Sequence, residues 1–422
     1  MELIEHMRVP RNQERHLNCL RGRPLLRGRI WANMPTIDFV FHDAGGGHRN
    51  AAFALRDVIA SQQRPWKVGL VQLQDVLDPL DLLRRLTGVR IQECYNKILE
   101  NGWTLGTTGL LRVLQGTIWL YHRPSVRLLE KYWREHPADM VVSIIPHFNR
   151  ALREAYALAA PGRPFVTILT DMADFPPRFW IERQEQFLIC GTERAVEQAR
   201  AFGHDDAHIF RTSGMILKPD FYAAAKSGRE TRRRELGLEA DLPTAIVLFG
   251  GHGSKVMLEI AERLDSSGRR LQAIFICGRN ERLAARLRAR HWRIPVHIKG
   301  FTTTVFDDMW AADFFIGKPG PGSISEALAM GLPVIVECNA WTMPQERYNT
   351  EWVREKQVGI VLRSFRGLEA ALAEMLQPER FARFRAQVAA QRNRAVFEIP
   401  EILEQILERA SAREGTSTKR DG

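Results

Sequence analysis

Two glycine loops, one in each half of the chain, constrain the possible folds most. The first, His42-Asp43-Ala44-Gly45-Gly46-Gly47-His48, follows the apolar run Ile37-Asp38-Phe39-Val40-Phe41. The second, Gly317-Lys318-Pro319-Gly320-Pro321-Gly322-Ser323, runs into Ile324-Ser325-Glu326-Ala327. Each spells a buried strand, a glycine turn and a helix start. Glycine lets backbone approach a ligand closely, and a helix N-terminus favours anionic groups. The pair predicts two α/β units with a nucleotide-linked substrate held in the cleft between them.

The rest of the sequence fits that frame. Short apolar runs alternate with helical stretches, the pattern of parallel sheets covered by helices. In the first half the pattern predicts strands at 37–42, 68–74, 140–145, 165–170 and 186–190, with helices at 48–61, 148–159 and 192–202. Residues 76–135 interrupt the alternation with mostly helical sequence rich in Leu, Trp and Tyr. The alternation restarts with strands at 244–249, 272–277, 295–299, 313–317, 333–337 and 359–362. The expected organisation is a basic arm over 1–34, a Rossmann-like domain over 35–214 and a linker over 215–241. A second Rossmann-like domain follows over 242–410, then a disordered tail over 411–422. Two such halves leave a cleft at the carboxyl ends of both sheets, where open α/β sheets bind ligands.

Composition excludes several classes. Five scattered cysteines without a C-x-x-C pair argue against a disulfide framework or a structural zinc site, and suit a reducing cytosol. No apolar stretch approaches the roughly 20 residues that cross a bilayer. The first thirty residues carry seven arginines without a hydrophobic core, so they are not a secretory signal. A net charge of +11 favours polyanions. With no zinc finger, basic zipper or RNP-like motif, nucleic acid is not the expected partner. An anionic membrane surface or a phosphorylated substrate fits better.

The candidate site residues sit in the loops. His48 stands beside the backbone of Gly46 and Gly47 at the cleft mouth. It is either a general base, titrating near neutrality, or a structural histidine at a helix start. Asp43 either orients His48 or bonds loop backbone. Gly250 and Gly251, in Phe249-Gly250-Gly251-His252-Gly253-Ser254, offer N–H groups to part of a nucleotide or form an ordinary turn. Gly320, Pro321, Gly322 and Ser323 can cradle a diphosphate. Glu326 has the reach for ribose hydroxyls, or simply complements a helix dipole in the first turn. Pro344-Gln345-Glu346-Arg347-Tyr348-Asn349 reads as a helix start. There Gln345 precedes Glu346 and Asn349, which share one face. That face suits a sugar's hydroxyls, or is a solvated polar surface. Thr170 and Asp171 end a strand on the cleft side, where they either position an acceptor or hold the loops, and Pro146-His147-Phe148-Asn149 ends another similarly. No Walker sequence, H-E-x-x-H or G-x-S-x-G occurs, and no Asp-x-Asp metal clamp is evident. Helix N-termini and Lys318 or Lys255 would then neutralise a leaving diphosphate.

These blocks, in order, resemble those of the monogalactosyldiacylglycerol synthase and processive diacylglycerol glucosyltransferase family. They are similar, more distantly, to the N-acetylglucosaminyltransferase that makes lipid II. The matches are Asp43-Ala44-Gly45-Gly46-Gly47-His48-Arg49, Tyr95-Asn96, Leu169-Thr170-Asp171, Thr192-Glu193, Gly250-Gly251, Gly300-Phe301, Lys318 through Ala327, and Gln345-Glu346-Arg347-Tyr348-Asn349. They span roughly residues 36–380. Gly-Pro-Gly-Ser and Gln-Glu-x-x-Asn are the most specific. Where the family has a Gly-Gly-Gly-Glu-Gly-like loop, this chain has Gly250-Gly251-His252-Gly253-Ser254. The resemblance implies a GT-B fold, two Rossmann-like domains with a cleft between them, and an inverting, metal-independent hexosyl transfer without a cofactor. The UDP-sugar donor would lie on the C-terminal domain, and a lipid acceptor such as diacylglycerol on the N-terminal one. His48 would be the general base, Glu326 the ribose ligand and Glu346 and Asn349 the sugar ligands. Gly320, Gly322 and Ser323 would contact the diphosphate.

An insoluble acceptor and a chain with no spanning segment imply a cytoplasmic protein peripheral on the inner face of the cell membrane. Segment 103–134 supplies Trp103, Leu110, Leu111, Leu114, Ile118, Trp119 and Tyr121 for apolar insertion. Arg112, Arg123, Arg127, Lys131 and Arg134 supply headgroup attraction. The same apolar residues also read as a buried helical core. Two alternatives share the fold: a UDP-N-acetylglucosamine-dependent transferase and a sugar-nucleotide epimerase.

Overall fold

The computed structural model of the protein describes residues 34–42, 46–80, 116, 118–223 and 227–417. It contains two six-stranded sheets with every pairing parallel. In the first, β1 (Thr36–Phe41), β2 (Lys67–Gln72), β3 (Met140–Ser143), β4 (Phe165–Ile168), β5 (Phe187–Cys190) and β6 (Ile209–Arg211) lie in the order β2-β1-β3-β4-β5-β6. In the second, β7 (Thr244–Leu248), β8 (Gln272–Ile276), β9 (Val296–Lys299), β10 (Phe314–Gly317), β11 (Val334–Glu337) and β12 (Gly359–Leu362) lie in the order β12-β11-β10-β7-β8-β9.

Parallel strands covered on both faces need near-continuous apolar sequence, and these strands have it. Alternate residues of β1 feed two cores. Ile37 and Phe39 pack with Ala52, Leu55 and Ile59 of α1 (Gly47–Ser61), while Val40 packs with residues of α3 and α4. Here α2 is Leu73–Leu77, α3 is His122–Glu135 and α4 is Asn149–Ala159; Leu129, Trp133 and Leu152 are their contributions. The second sheet divides likewise, with Ile246 and Leu248 on one face and Ala245 and Val247 on the other. Its helices are α6 (Arg229–Glu235), α7 (Val256–Ser266), α8 (Glu281–Arg288), α9 (Val305–Trp310), α10 (Pro321–Ala329), α11 (Pro344–Lys356), α12 (Leu368–Met375) and α13 (Pro378–Ala390). Helix α5 (Glu193–Ala201) belongs to the first sheet, and α14 (Ala395–Ser417) closes the chain.

Three expectations need correcting. Residues 215–241 are not a free linker. Met215, Leu217, Phe221, Leu236 and Leu238 lie in the second sheet's core. In the charged run Arg229–Glu235, Arg233 is buried, its guanidinium donating to the Ala311 and Ala240 carbonyls and to Asp313 Oδ2 at 2.7 Å. Asp313 and the two carbonyls satisfy the charge that burial would otherwise leave unpaired. Next, α14 extends into the stretch expected to be a tail, as far as Ser417. Its Val396, Ile399, Leu403 and Ile406 pack into the N-terminal core, against α1, and not into the second domain. Finally, β6 pairs with β5 at a sheet edge where no strand is expected. The arm 1–33 lies outside the described residues, as does 81–115, including Arg112 and the Tyr95-Asn96 match.

Candidate functional site

The strand ends of the first sheet build one wall of the site. Gly46, left-handed at φ 80°, turns the chain from β1 into α1 and places His48 in the first helical turn. No side chain caps that helix. The His48 Nδ1 lies 3.1 Å from Thr170 Oγ1, just past β4. Burial pushes the His48 imidazole down to about 4, opposed by the Ile144 backbone. It is therefore uncharged at neutral pH, with a ring nitrogen lone pair. Asp43 lies outside the described residues; among those described, Thr170 is the side chain that meets the His48 Nδ1.

Next to Thr170, Asp171 is buried and accepts a 2.9 Å hydrogen bond from Trp180 Nε1. Burial pushes its carboxyl up to about 7; the Trp180 bond lowers it, Glu346 raises it and Lys318 lowers it. Glu346 and Lys318 are on the opposite domain, so Asp171 marks where the two walls meet. Trp180, fully buried, ties this wall together. Its ring sits 5.9 Å from that of His48, and its carbonyl accepts from Asn149 Nδ2 at 2.9 Å. Its backbone N–H donates to Asp174 Oδ1 at 2.7 Å. Sequence reading overlooked Trp180. The only available signal was a tryptophan inside the apolar stretch 179–181, which also describes an ordinary core.

Three loops of the second sheet form the facing wall. Lys318 Nζ donates to Glu346 Oε1 at 2.8 Å, linking the glycine loop to the first turn of α11. A methyl group on Gly320 would meet Lys318 and Glu346 at 3.5 and 3.6 Å, and one on Gly250 would meet Lys318 Cε at 3.7 Å. The loops carrying Gly250, Gly320 and Glu346 therefore converge on Lys318. Gly251 lies beside them, its carbonyl accepting from Arg279 N at 2.8 Å. Gly320 is the N-cap of α10 with no side-chain cap, and Pro321 follows at the first helical position. Proline has no N–H, so the first-turn donors are those of Gly322 and Ser323. Gly322 is exposed, with open space around it.

Two alternatives for the carboxylates are resolved. Glu326 sits in the second turn of α10, and the first turn has no acidic residue, so a dipole-complementing role is excluded by position. Burial pushes it up to about 7, with Lys218 lowering it. The 346/349 face is not solvated: Glu346 and Asn349 are both buried. Asn349 Nδ2 donates to the Pro319 carbonyl at 2.7 Å, so the amide pins the glycine loop. Its Oδ1 has no partner among the described residues. Gln345 is half-buried, and among the described residues its amide meets only Met343 sulfur, at 3.9 Å. Away from these groups, the outer face of α11 lines a cavity of about 450 Å³ with Glu193, Arg194, Glu197 and Arg211 of the first domain.

Two parallel-sheet domains with their loops facing across a cleft define the GT-B class of fold. Among solved structures, MurG of Acinetobacter baumannii has a TM-score of 0.57 at 12% identity, covering 88% of this chain and 100% of its own. A putative UDP-N-acetylglucosamine 2-epimerase of Listeria monocytogenes has a TM-score of 0.56 at 14% identity, covering 88% and 95%. The fold alone therefore does not separate transferase from epimerase. Residues 245–406 match the glycosyltransferase family 28 C-terminal domain. Over 351 residues the chain is 28% identical to monogalactosyldiacylglycerol synthase 3 of Arabidopsis thaliana, covering 78% of this chain and 71% of that protein. The second half of the chain thus matches a family 28 glycosyltransferase domain, and the chain as a whole is similar to galactolipid synthases.

Proposed function

We propose that this glycosyltransferase moves a hexose from a UDP-sugar, with inversion, onto the free hydroxyl of diacylglycerol or a related lipid at an anionic membrane surface. The observation that carries the reading is the pairing across the cleft. An uncharged histidine held by Thr170 stands on one wall, and Asp171 beside it feels Lys318 and Glu346 on the other. An acceptor oxygen placed between the walls attacks the anomeric carbon. Its proton passes to His48 as the bond to the UDP oxygen breaks. The Gly322 and Ser323 N–H groups and Lys318 stabilise the departing diphosphate. Glu326 binds the ribose and Glu346 a sugar hydroxyl. The lipid acceptor is supported by the relatives, which are named as galactolipid synthases.

The membrane reading is supported by α3. Arg123, Arg127, Lys131 and Arg134 are all exposed along it, while Val126, Leu129 and Trp133 face the core. Just ahead of it Trp119 and Leu120 are 74% and 68% exposed. No helix among the described residues is long and apolar enough to cross a membrane.

The test is a panel of radiolabelled UDP-glucose, UDP-galactose and UDP-N-acetylglucosamine, each with and without diacylglycerol liposomes. Label in the lipid extract only when liposomes are present is the expected result. Isomerisation of a UDP-sugar without any acceptor would replace this reading with an epimerase. The reaction is expected to continue in excess EDTA, because Lys318 and backbone donors carry the diphosphate charge.

A further inference from the structure

We propose that His147 is a specificity-determining residue of the acceptor site, hydrogen-bonding an oxygen that flanks the reacting hydroxyl, an ester carbonyl in a diacylglycerol. The inference rests on the lipid-acceptor reading above and refines it.

Placement comes first. Strands β1 and β3 are direct neighbours, Val40 opposite Ser143, and Ile144 N donates to the Val40 carbonyl at 3.0 Å. The chain segments leaving their carboxyl ends therefore emerge side by side. One carries His42 and His48, the other His147. The His42 and His48 rings are 4.4 Å apart, and His42 also feels His147. His147 thus lies near His42, whose ring meets that of the residue assigned as the base.

Its backbone is the second observation. His147 is left-handed at φ 67°, a region that glycine occupies freely and other residues seldom adopt. The conformation is fixed by its N–H donating to the Phe179 carbonyl at 2.7 Å. Phe179 also packs edge-on against the imidazole, centroids 4.2 Å apart. Glycine would satisfy the same turn at lower cost, so the turn does not account for the imidazole.

The third observation is what the ring lacks. Among the described residues, Phe179 is the ring packed on the His147 imidazole and no group hydrogen-bonds it, and the residue is half-buried, so its polar edge is open to a ligand. Burial pushes it down to about 4, so it is neutral and offers one N–H donor and one lone pair. A neutral donor against an aromatic ring fits an uncharged oxygen in an apolar neighbourhood. The ester carbonyl oxygens of a diacylglycerol, the nearer one four bonds from its hydroxyl-bearing carbon, have that character. A dialkylglycerol has the same hydroxyl and chains without the carbonyls.

The experiment compares the two lipids as acceptors in the full-length protein. The variants are His147→Gly and His147→Asn, both of which tolerate the left-handed turn. Wild type is expected to favour diacylglycerol over dialkylglycerol. In both variants kcat/KM for diacylglycerol should fall about tenfold more than for dialkylglycerol, the effect of one lost hydrogen bond. The loss should lie mainly in KM, with UDP affinity by calorimetry unchanged. Equal losses for both lipids, or none, in variants with wild-type circular dichroism would overturn the assignment and leave the transferase reading intact. Absence of transfer to either lipid by wild type would instead overturn both.

Discussion

Asp171 and Glu326 are carboxyls that the fold holds near neutrality, each pushed up to about 7 by burial. A carboxyl whose pKa rises on folding binds its proton more tightly in the folded state. Its contribution is favourable at low pH and is lost as pH rises, for Glu326 between about 4.5 and about 7. Above that window the ionised Glu326 costs roughly 3 kcal/mol of stability. Glu326→Gln is therefore expected to raise the melting temperature relative to wild type at pH 8 and to change it little at pH 4. The same variant should weaken UDP binding by about 1.5–3 kcal/mol through lost charge-assisted hydrogen bonds. Melts at the two pH values, with UDP calorimetry, check both halves; undiminished UDP affinity would remove the ribose role. His48→Ala is expected to lower turnover by about 10²–10⁴-fold, the usual scale of general base catalysis. UDP affinity should not change, since the loops proposed to hold the donor are on the other wall, and near-normal turnover would take the base role from His48. At this scale the sequence showed which residues line the loops but not what state they are in. Glu346 and Asn349 are polar residues at helical spacing, which a solvated face would also produce. Burial of both, and the Lys318 ion pair, come from a loop joined to α11 only by folding.

Among the elements, α3 carries the membrane argument. Its exposed arginines and the Trp119-Leu120 step are separate from the apolar stripe that fixes it to the core. Reversing the charge of Arg123 and Arg127 should leave Val126, Leu129 and Trp133 packed while repelling anionic lipid. The double variant to Glu is expected to lose sedimentation with anionic liposomes and to keep UDP affinity. Wild-type binding should weaken with salt as the Debye length falls from about 10 Å at 0.1 M to about 3 Å at 1 M. Liposome pelleting across a salt series checks it, and undiminished pelleting of the variant would place the membrane face elsewhere. Eleven of the twelve strands were legible because buried parallel strands are written in Val, Ile, Leu and Phe. The exception, β6, is three residues at an edge, between a polar turn and Thr212, too short to show a pattern. Helix α6 was hidden for a different reason. Charged residues in sequence look solvated, and nothing local to Arg233 announces Asp313 as its partner.

For the whole molecule, the crossing between halves decides how it holds together. The chain passes from the first domain to the second near Met215 and returns near Asn393, and the two passages touch. Asn393 Nδ2 donates to the Met215 carbonyl at 2.8 Å, Arg394 N to Ser213 Oγ at 2.7 Å, and Ser213 N to Glu398 Oε2 at 2.8 Å. The segment after the return supplies Val396, Ile399, Leu403 and Ile406 to the N-terminal core. Removing residues 395–422 is therefore expected to unfold the first domain and not merely trim the end. Limited proteolysis should then cut first among residues 34–211, while a version truncated after 417 should melt like wild type. A door hung on two adjacent pins swings but does not twist. Side-by-side passages leave these halves one easy axis of relative rotation, and the His48 wall and the Lys318 wall stand on either side of it.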